Sequence, residues 1–439
     1  MSIWIETKLK ESEIGKIPLD WSCTTLNKIA EINPKPIKLD SDDIEVSFVG
    51  MADVSESAKL MNTTNRLYGE VKKGFTSFQD NDVLVAKITP CFENGKGALV
   101  SNLTNGIGFG STEFHVIRTK EQKGCPEFIH HITTTHNFRV KGEMNMTGTA
   151  GQKRVGKDFI ASYLIACPPF VEQQKIAEVL STVDKKIDLI DQKIAETEKL
   201  KAGLMQKLFS EGVGVQDDNG EWQPHTEFQA SPFGNVPKCW LKVSLENIAS
   251  VERGKFSARP RNDPKYFGGN IPFVQTGDVV NAQLYVESYS QTLNELGLTV
   301  SKIFPTETIL ITIAANIGDV AITQFPLACP DSLVGIQAKK DICDSLWLFF
   351  FMQTQKSELD SKATKSAQKN INLQVLKPLT VFLPPLEEQE FIAEILLASE
   401  KKIALLKQQK TETHQLKKGL MQKLLTGEWR VPVEETEAA

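Results

Sequence analysis

No two cysteines in this sequence fall at C-x-x-C spacing. The seven that occur (Cys23, Cys91, Cys125, Cys167, Cys239, Cys329 and Cys343) are scattered, so neither a zinc site nor a disulfide framework is expected. That usage suits a reducing cytosol. There is no basic surplus either: 50 Lys and Arg stand against 55 Asp and Glu, a formal net charge of −5. Any nucleic-acid binding must therefore come from local patches. No apolar run approaches bilayer thickness, the longest being Leu346 to Met352. No basic segment followed by an apolar core opens the chain, so no signal peptide is expected and the protein is read as cytoplasmic. No Walker A motif occurs, and the carboxylates show no spacing that singles out an acid–base pair.

Three short motifs resemble sites of chemistry without meeting its requirements. Gly106-Ile-Gly108-Phe-Gly110 has the glycine spacing of a cofactor loop, but such a loop needs a helix N-terminus after it, and here a strand-like run, Glu113–Ile117, follows. It reads as a flexible or close-packed loop. Asn33-Pro34-Lys35-Pro36 lacks the second proline and the aromatic of an amino-methyltransferase loop and reads as a turn. His130 and His131 are adjacent on an expected helix, where neighbours do not face one ligand. No catalytic residue, metal ligand or cofactor site is assigned to this chain.

What the sequence does hold is a long repeat. Pro168 to Gly212 recurs as Pro384 to Gly427, in one register through Ser210 and Thr426: Pro168 matches Pro384, Glu172 matches Glu388, Ile187 matches Ile403 and Gly203 matches Gly419, an offset of 384 − 168 = 216. A Pro-Pro pair opens each copy, and acidic residues follow in the first turn, both favourable at a helix N-terminus. Apolar residues then alternate at steps of four and three: Ile176, Leu180, Val183, Ile187, Ile190 and Ile194, resuming at Leu204 and Leu208. The second copy carries Ile392, Leu396, Ile403, Leu406, Leu420 and Leu424 in the same slots. A 3.5-residue period makes a seam for another helix. Each helix of roughly forty residues would run on the order of 60 Å, and the obvious partner is the other copy, preferably antiparallel. Thr197, Lys201, Ser399, Lys410, Thr413 and Lys417 interrupt the seam with polar side chains, either fixing register or facing a partner.

The repeat extends to the globular parts. Gly15, Pro18, Trp21, Leu26 and Ile29 match Gly234, Pro237, Trp240, Leu245 and Ile248 at an offset of 234 − 15 = 219. A short helix is expected after each tryptophan, with Ser244 as an N-cap. β-rich middles follow, faintly alike at Ser47-Phe-Val-Gly-Met-Ala-Asp-Val54 and Pro272-Phe-Val-Gln-Thr-Gly-Asp-Val279. A helix closes each module, 127–138 and 345–359. The expected organisation is α+β: a first globular domain over 1–167, a central helix over 168–212, a polar linker over 213–232, a second domain over 233–383, a C-terminal helix over 384–431 and a disordered acidic tail over 432–439.

Basic clusters in small-residue loops are the candidate site. Thr147, Thr149, Gln152, Lys153, Arg154 and Lys157 lie just before the first long helix. At the 216-residue offset Lys365, Gln368, Lys369 and Asn370 precede the second, and Arg253, Lys255, Arg259 and Arg261 follow the short helix of the second module. Cations neutralise phosphates, backbone amides approach past glycine, and Gln or Asn can pair with adenine edges.

Two variable modules, each followed by a Pro-Pro-x-x-Glu-Gln…Gly-Leu-Met-Gln-Lys-Leu helix, resemble the specificity subunit of type I DNA restriction–modification enzymes. The markers are Glu172-Gln173…Ile176-Ala177-Glu178 with Glu388-Gln389…Ile392-Ala393-Glu394, and the paired Gly203–Leu208 and Gly419–Leu424 ends. The resemblance implies two target-recognition domains, each reading half of a bipartite double-stranded DNA site, alternating with two helices that pair as an antiparallel coiled coil about a pseudo-two-fold axis. It implies two methyltransferase subunits and restriction–translocase subunits as partners, with S-adenosylmethionine, Mg and ATP on those partners and no cofactor or active site in this chain. By that analogy the loops at Gln152–Arg154 and Gln368–Asn370 lie against DNA. Two alternatives remain open at this point: a single-chain nuclease or methyltransferase, which would bind S-adenosylmethionine or modify DNA alone, and a coiled-coil scaffold that binds no duplex.

Overall fold

The computed structural model describes residues 8–149, 151–231, 234–314, 316–363 and 370–433. Phe233, Lys365, Gln368, Lys369 and the last six residues of the acidic tail lie outside them. The chain forms two compact units. The first comprises Met1–Asp191 with Gln409–Ala439, the second Gln192–Gln408. The division cuts across each long helix, so each unit owns one part of both. The helices run over Phe170–Leu208 and Leu386–Leu425.

In the first unit, a four-stranded sheet orders its strands Thr64–Leu67, Glu45–Val49, Ile107–Gly110 and Thr76–Gln79. A second orders Ala30–Ile32, Phe114–Thr119, Val83–Ala86 and Gly97–Leu99. The run from Gly106 to Gly110 is therefore not a loop but largely a strand, parallel to Glu45–Val49 and antiparallel to Thr76–Gln79. Its glycines answer a packing need. A Cβ at Gly108 would stand 2.1 Å from the Phe78 ring, and one at Gly110 would stand 2.2 Å from the Val49 carbonyl oxygen. No helix N-terminus follows the run to hold a cofactor.

The second unit repeats the plan. Five strands order as Ala249–Arg253, Leu333–Ala338, Ile309–Thr312, Val320–Thr323 and Tyr285–Val286, and four as Gln291–Leu293, Phe267–Phe273, Leu327–Ala328 and Ile303–Phe304. The strand that leads into each long helix pairs antiparallel with the strand after the module's tryptophan: Leu164–Cys167 with Ser22–Thr25, and Thr380–Leu383 with Leu241–Ser244.

Each expected closing helix is two. Pro126–Thr134 and His136–Met144 break at Thr135, whose β-region backbone ends the first helix and whose hydroxyl caps the second at the Phe138 amide. Ser345–Thr354 and Lys356–Lys362 break at Gln355. The first of these latter helices is apolar on every side and its core residues Trp347 to Met352 are buried, which fits a helix surrounded by protein. Ser244 stands at the N-cap of Leu245–Ile248, but its side chain makes no capping hydrogen bond; the helix is a single turn, set by its buried Leu245 and Ile248.

Of the segment 213–232, expected as a linker, the described residues 213–231 are hydrogen-bonded into the second unit. Val215–Gln216 pairs with Trp222–Gln223, and Phe228–Ser231 with Gly234–Pro237. Its entry is fixed by buried Glu388, which accepts from the Val213 amide (2.9 Å), His225 Nε2 (2.9 Å) and Trp240 Nε1 (2.9 Å). The first unit has the repeat-related clasp. Buried Glu172 accepts from Trp21 Nε1 at 3.0 Å and from both Nε and an Nη of Arg430, at 2.5 and 2.7 Å. Arg430 also reaches Asp20, and Val431 joins the first unit's core.

Along the long helices every expected seam position is buried or half-buried. Ile176 and Leu180 also enter the core of the first unit with Trp21 and Leu26, while Ile392 and Leu396 enter that of the second with Trp240 and Trp347. The polar interruptions lie in the seam too. In the first unit Lys417 pairs with Asp184 and Lys410 with Asp191, both at 2.6 Å. Seven residues forward on one helix meet seven backward on the other, so the helices pair antiparallel. In the second unit Lys201 pairs with Glu400, and Lys407 with Glu198, in the same sense. Thr197, Ser399 and Thr413 turn their hydroxyls to the carbonyls of Lys193, Ile395 and Gln409, one turn back.

Candidate nucleic-acid interface

In the first unit Met146–Thr147 and Arg154–Val155 form a small antiparallel hairpin. Its connection carries Gly148 at φ +124°, where a side chain would be strained and its Cβ would stand 2.9 Å from the Gln152 carbonyl. The hairpin is fastened to the strand edge after Val83–Ala86. Thr89 N donates to Lys153 O and Val155 N to Lys87 O, each at 2.9 Å. His115 reinforces this from below: its Nε2 lies 2.9 Å from Val155 O, while its Nδ1 lies 3.0 Å from the Asn33 side-chain nitrogen. Donation from Nε2–H leaves Nδ1 as the acceptor. Burial holds the imidazole's pKa down, which keeps that neutral tautomer.

Thr147, Thr149, Gln152, Lys153 and Lys157 are all exposed on or beside this hairpin. Arg154 is exposed as well, but its guanidinium is committed. Nε and Nη2 grip the Glu113 carboxylate at 3.0 and 2.8 Å, and Nη1 donates to Gln152 O at 3.1 Å. Hydrogen bonding from Arg154 holds the Glu113 carboxyl below its usual range. Arg154 thus braces the hairpin from within the candidate cluster. Lys153 and Lys157 form no ion pair among the described residues. Lys87, which the sequence gave no reason to single out, sits half-buried beside Glu113 and Arg154, its pKa lowered by burial.

The second unit builds the same junction. Ile371 N donates to Ile313 O at 3.0 Å, and Asn370 bridges Ala314. Asn370 thus takes the place that Arg154 occupies beside Ile88, at the 216-residue offset. Its companions Lys365, Gln368 and Lys369 lie outside the described residues.

The other cluster of the second unit converges on Asp331. Arg253 Nε donates to the Asp331 carbonyl at 2.5 Å, and Arg261 pairs with its carboxylate at 2.8 Å. Arg259 turns an Nη to the carbonyl of Ala258, and Lys255 forms no ion pair among the described residues. Arg261 lines a cleft of about 480 Å³ together with Phe256, Phe267, Phe273, Gln275 and Gln291. The sequence did not reveal this cleft, because its walls come from segments far apart in the chain. Among the described residues no group of His, Cys, Asp and Glu is arranged to hold a metal.

The chain matches a family model described as the type I restriction modification DNA specificity domain, twice, over residues 18–199 and 237–415. It is 42% identical over 168 residues to the specificity subunit of the type I restriction enzyme EcoAI from Escherichia coli, a match covering 38% of this chain and 28% of that one. It is 26% identical over 449 residues to the MjaVIII specificity subunit of Methanocaldococcus jannaschii, covering 98% of both. A solved structure described as the structural basis underlying complex assembly and conformational transition of the type I R-M system aligns with a TM-score of 0.58 at 20% identity, over 94% of this chain and 99% of that one.

Proposed function

Because the chain belongs to the type I restriction modification DNA specificity family, with the family's domain present in two copies, we propose that each unit reads one half of a bipartite double-stranded DNA site. The protein is the non-catalytic specificity subunit of a type I restriction–modification system. It binds DNA and acts as part of that system's complex, in which methylation and restriction are the work of other subunits.

The observation that supports the two-half reading is the paired junction before each long helix. The same backbone connection, Val155 to Lys87 in one unit and Ile371 to Ile313 in the other, presents Lys153-Arg154 in the first, with Asn370 at the matching position of the second. One frame with different side chains is what two different half-sites require. The long helices hold the half-sites at a set separation and dock two methyltransferase subunits, with restriction–translocase subunits joining them. S-adenosylmethionine, Mg and ATP are then bound by those partners. No helix among the described residues is long and apolar enough to cross a membrane, and we place the complex in the cytoplasm with the DNA it modifies.

The test is co-purification with the methyltransferase subunit of the same system, followed by mapping of methylated genomic sites. The reading expects a stable complex and methylation confined to a bipartite sequence. Methylation by the partner at the same sites without this chain would overturn it.

A further inference from the structure

The cleft of the second unit joins two amide side chains that are 16 residues apart in sequence. Gln291 is the residue paired with Phe273 in the antiparallel ladder, and Gln275 lies two residues beyond Phe273. Gln275 begins a short helix, Thr276–Asn281, and its backbone amide is tied to the Asp278 carboxylate at 2.7 Å. Ser290, next to Gln291, donates to the same carboxylate at 3.2 Å. Both glutamines are therefore mounted on fixed backbone. Their side chains meet: Gln275 Nε2 donates to Gln291 Oε1 at 2.9 Å.

That bond leaves one acceptor atom wholly unengaged, Gln275 Oε1, beside the two donors of Gln291 Nε2, and no other hydrogen bond engages either amide among the described residues. If both amides were turned over, the pair would still offer one acceptor and free donors. In the major groove adenine presents an acceptor, N7, beside a donor, the 6-amino group; guanine presents two acceptors, thymine an acceptor and a methyl, cytosine a donor. The glutamine pair is complementary to adenine. Phe256 and Phe273 are buried and Phe267 half-buried in the same cleft. An aromatic edge there suits the methyl of the paired thymine and keeps water from competing for the amides.

The first unit carries the frame without the glutamines. Phe48 pairs with Thr64 as Phe273 pairs with Gln291, and with Phe109 as Phe273 pairs with Ala328. Asp53 ties the Gly50 amide at 2.7 Å, as Asp278 ties that of Gln275. So Gly50 and Thr64 stand where the second unit has Gln275 and Gln291. The frame is shared and the groups that could reach a base differ.

We propose that the Phe256–Phe267–Phe273 cleft is a base-pair reading site, in which the linked amides of Gln275 and Gln291 select one A·T pair in the half-site of the second unit. The proposal rests on the DNA-recognition reading above and names where that recognition is made. It is tested with the assembled complex, by measuring binding to duplexes in which each base pair of the bipartite site is replaced in turn. Gln291→Ala is expected to lower discrimination at a single A·T pair on the order of tenfold or more, leaving every other position intact. Gln291→Glu replaces the free donors of Nε2 by a carboxylate oxygen, so an acceptor stands beside Gln275 Oε1 where a donor stood, and preference at that position should move to cytosine, whose amino group donates. Thermal melting of both variants shows that they remain folded, as expected of a substitution at an exposed side chain. An unchanged profile for Gln291→Glu, or a loss spread evenly over all positions, overturns the proposal while sequence-specific binding by the unsubstituted complex upholds the DNA reading. Absence of any sequence preference in the unsubstituted complex overturns both.

Discussion

The ammonium of Lys417 lies 2.6 Å from the carboxylate of Asp184, inside the seam between the long helices and with each side chain only about one-fifth exposed. Under the 216-residue repeat this pair becomes Lys201 with Glu400, whose side chains are similarly shielded. The lysines that break the apolar pattern are in the seam, and each faces a carboxylate. Leucine at either position would restore the heptad and strand an acid. Breaking a buried pair costs about 3–5 kcal/mol, and partial solvent access reduces that here to about 1–3 kcal/mol. Lys417→Leu should therefore lower the unfolding free energy, and exchanging the charges (Asp184→Lys with Lys417→Asp) should recover most of it. Denaturant unfolding of the three chains checks this.

The clasp at the end of the second helix gives a second expectation. Arg430 satisfies buried Glu172, shared with Trp21. Arg430→Ala leaves that carboxylate with one donor in a buried setting, a loss of about 2–4 kcal/mol. Thermal melting of the full chain measures it. Tryptophan fluorescence should change as well, since the guanidinium lies over the Trp21 ring.

Acid should weaken the first unit. Buried His131 has its pKa pushed down to about 3, by burial first and then by Lys417. Its folded pKa is below its unfolded value of about 6.5, so the unfolded chain takes up a proton that the folded chain refuses. Stability is complete above pH 6.5 and falls as pH drops from there toward 3. His131 alone contributes about 1.4 kcal/mol per pH unit in that window. Asp184 Oδ2, 4.0 Å from His131 Nδ1, is the acid that faces it. Unfolding free energies between pH 5 and 7 should show the slope, and His131→Gln should reduce it, with His130, likewise pushed down by burial to about 3, keeping a share.

Lys153 and Arg154 are adjacent and should behave differently. Lys153 has no ion pair among the described residues, so Lys153→Ala should weaken DNA binding and reduce the slope of log affinity against log salt by close to one unit. Arg154 is held by Glu113. Arg154→Ala should leave the slope nearly unchanged and instead raise hydrogen exchange at the amides that fasten the hairpin, those of Val155 and Thr89. Salt titrations of duplex binding by the assembled complex separate the two.

The long helices were legible because a 3.5-residue period survives in sequence whatever surrounds it. So was the duplication, from Trp21 and Trp240 to the Gly-Leu-Met-Gln-Lys ends. The ion pairs across the seam were not, because Asp184 and Lys417 are 233 positions apart (417 − 184) and meet only once the register is set. Composition marked the Lys153–Arg154 loop correctly as cationic, but it could not show that Glu113 occupies the arginine. The segment around Val215 and Trp222 looked like a linker because two-residue strands between Gly and Asp carry no periodicity. Gln275 and Gln291 were invisible for a similar reason: the ladder at Phe273, not any sequence spacing, brings them side by side.

Each unit reads its own half of one DNA site. The most direct measurement is to exchange residues 14–167 for the equivalent module of another family member and to map the methylated sites of cells carrying the hybrid complex. The account predicts that one half of the bipartite sequence changes while the other half stays. A hybrid that changes both halves, or neither, contradicts it.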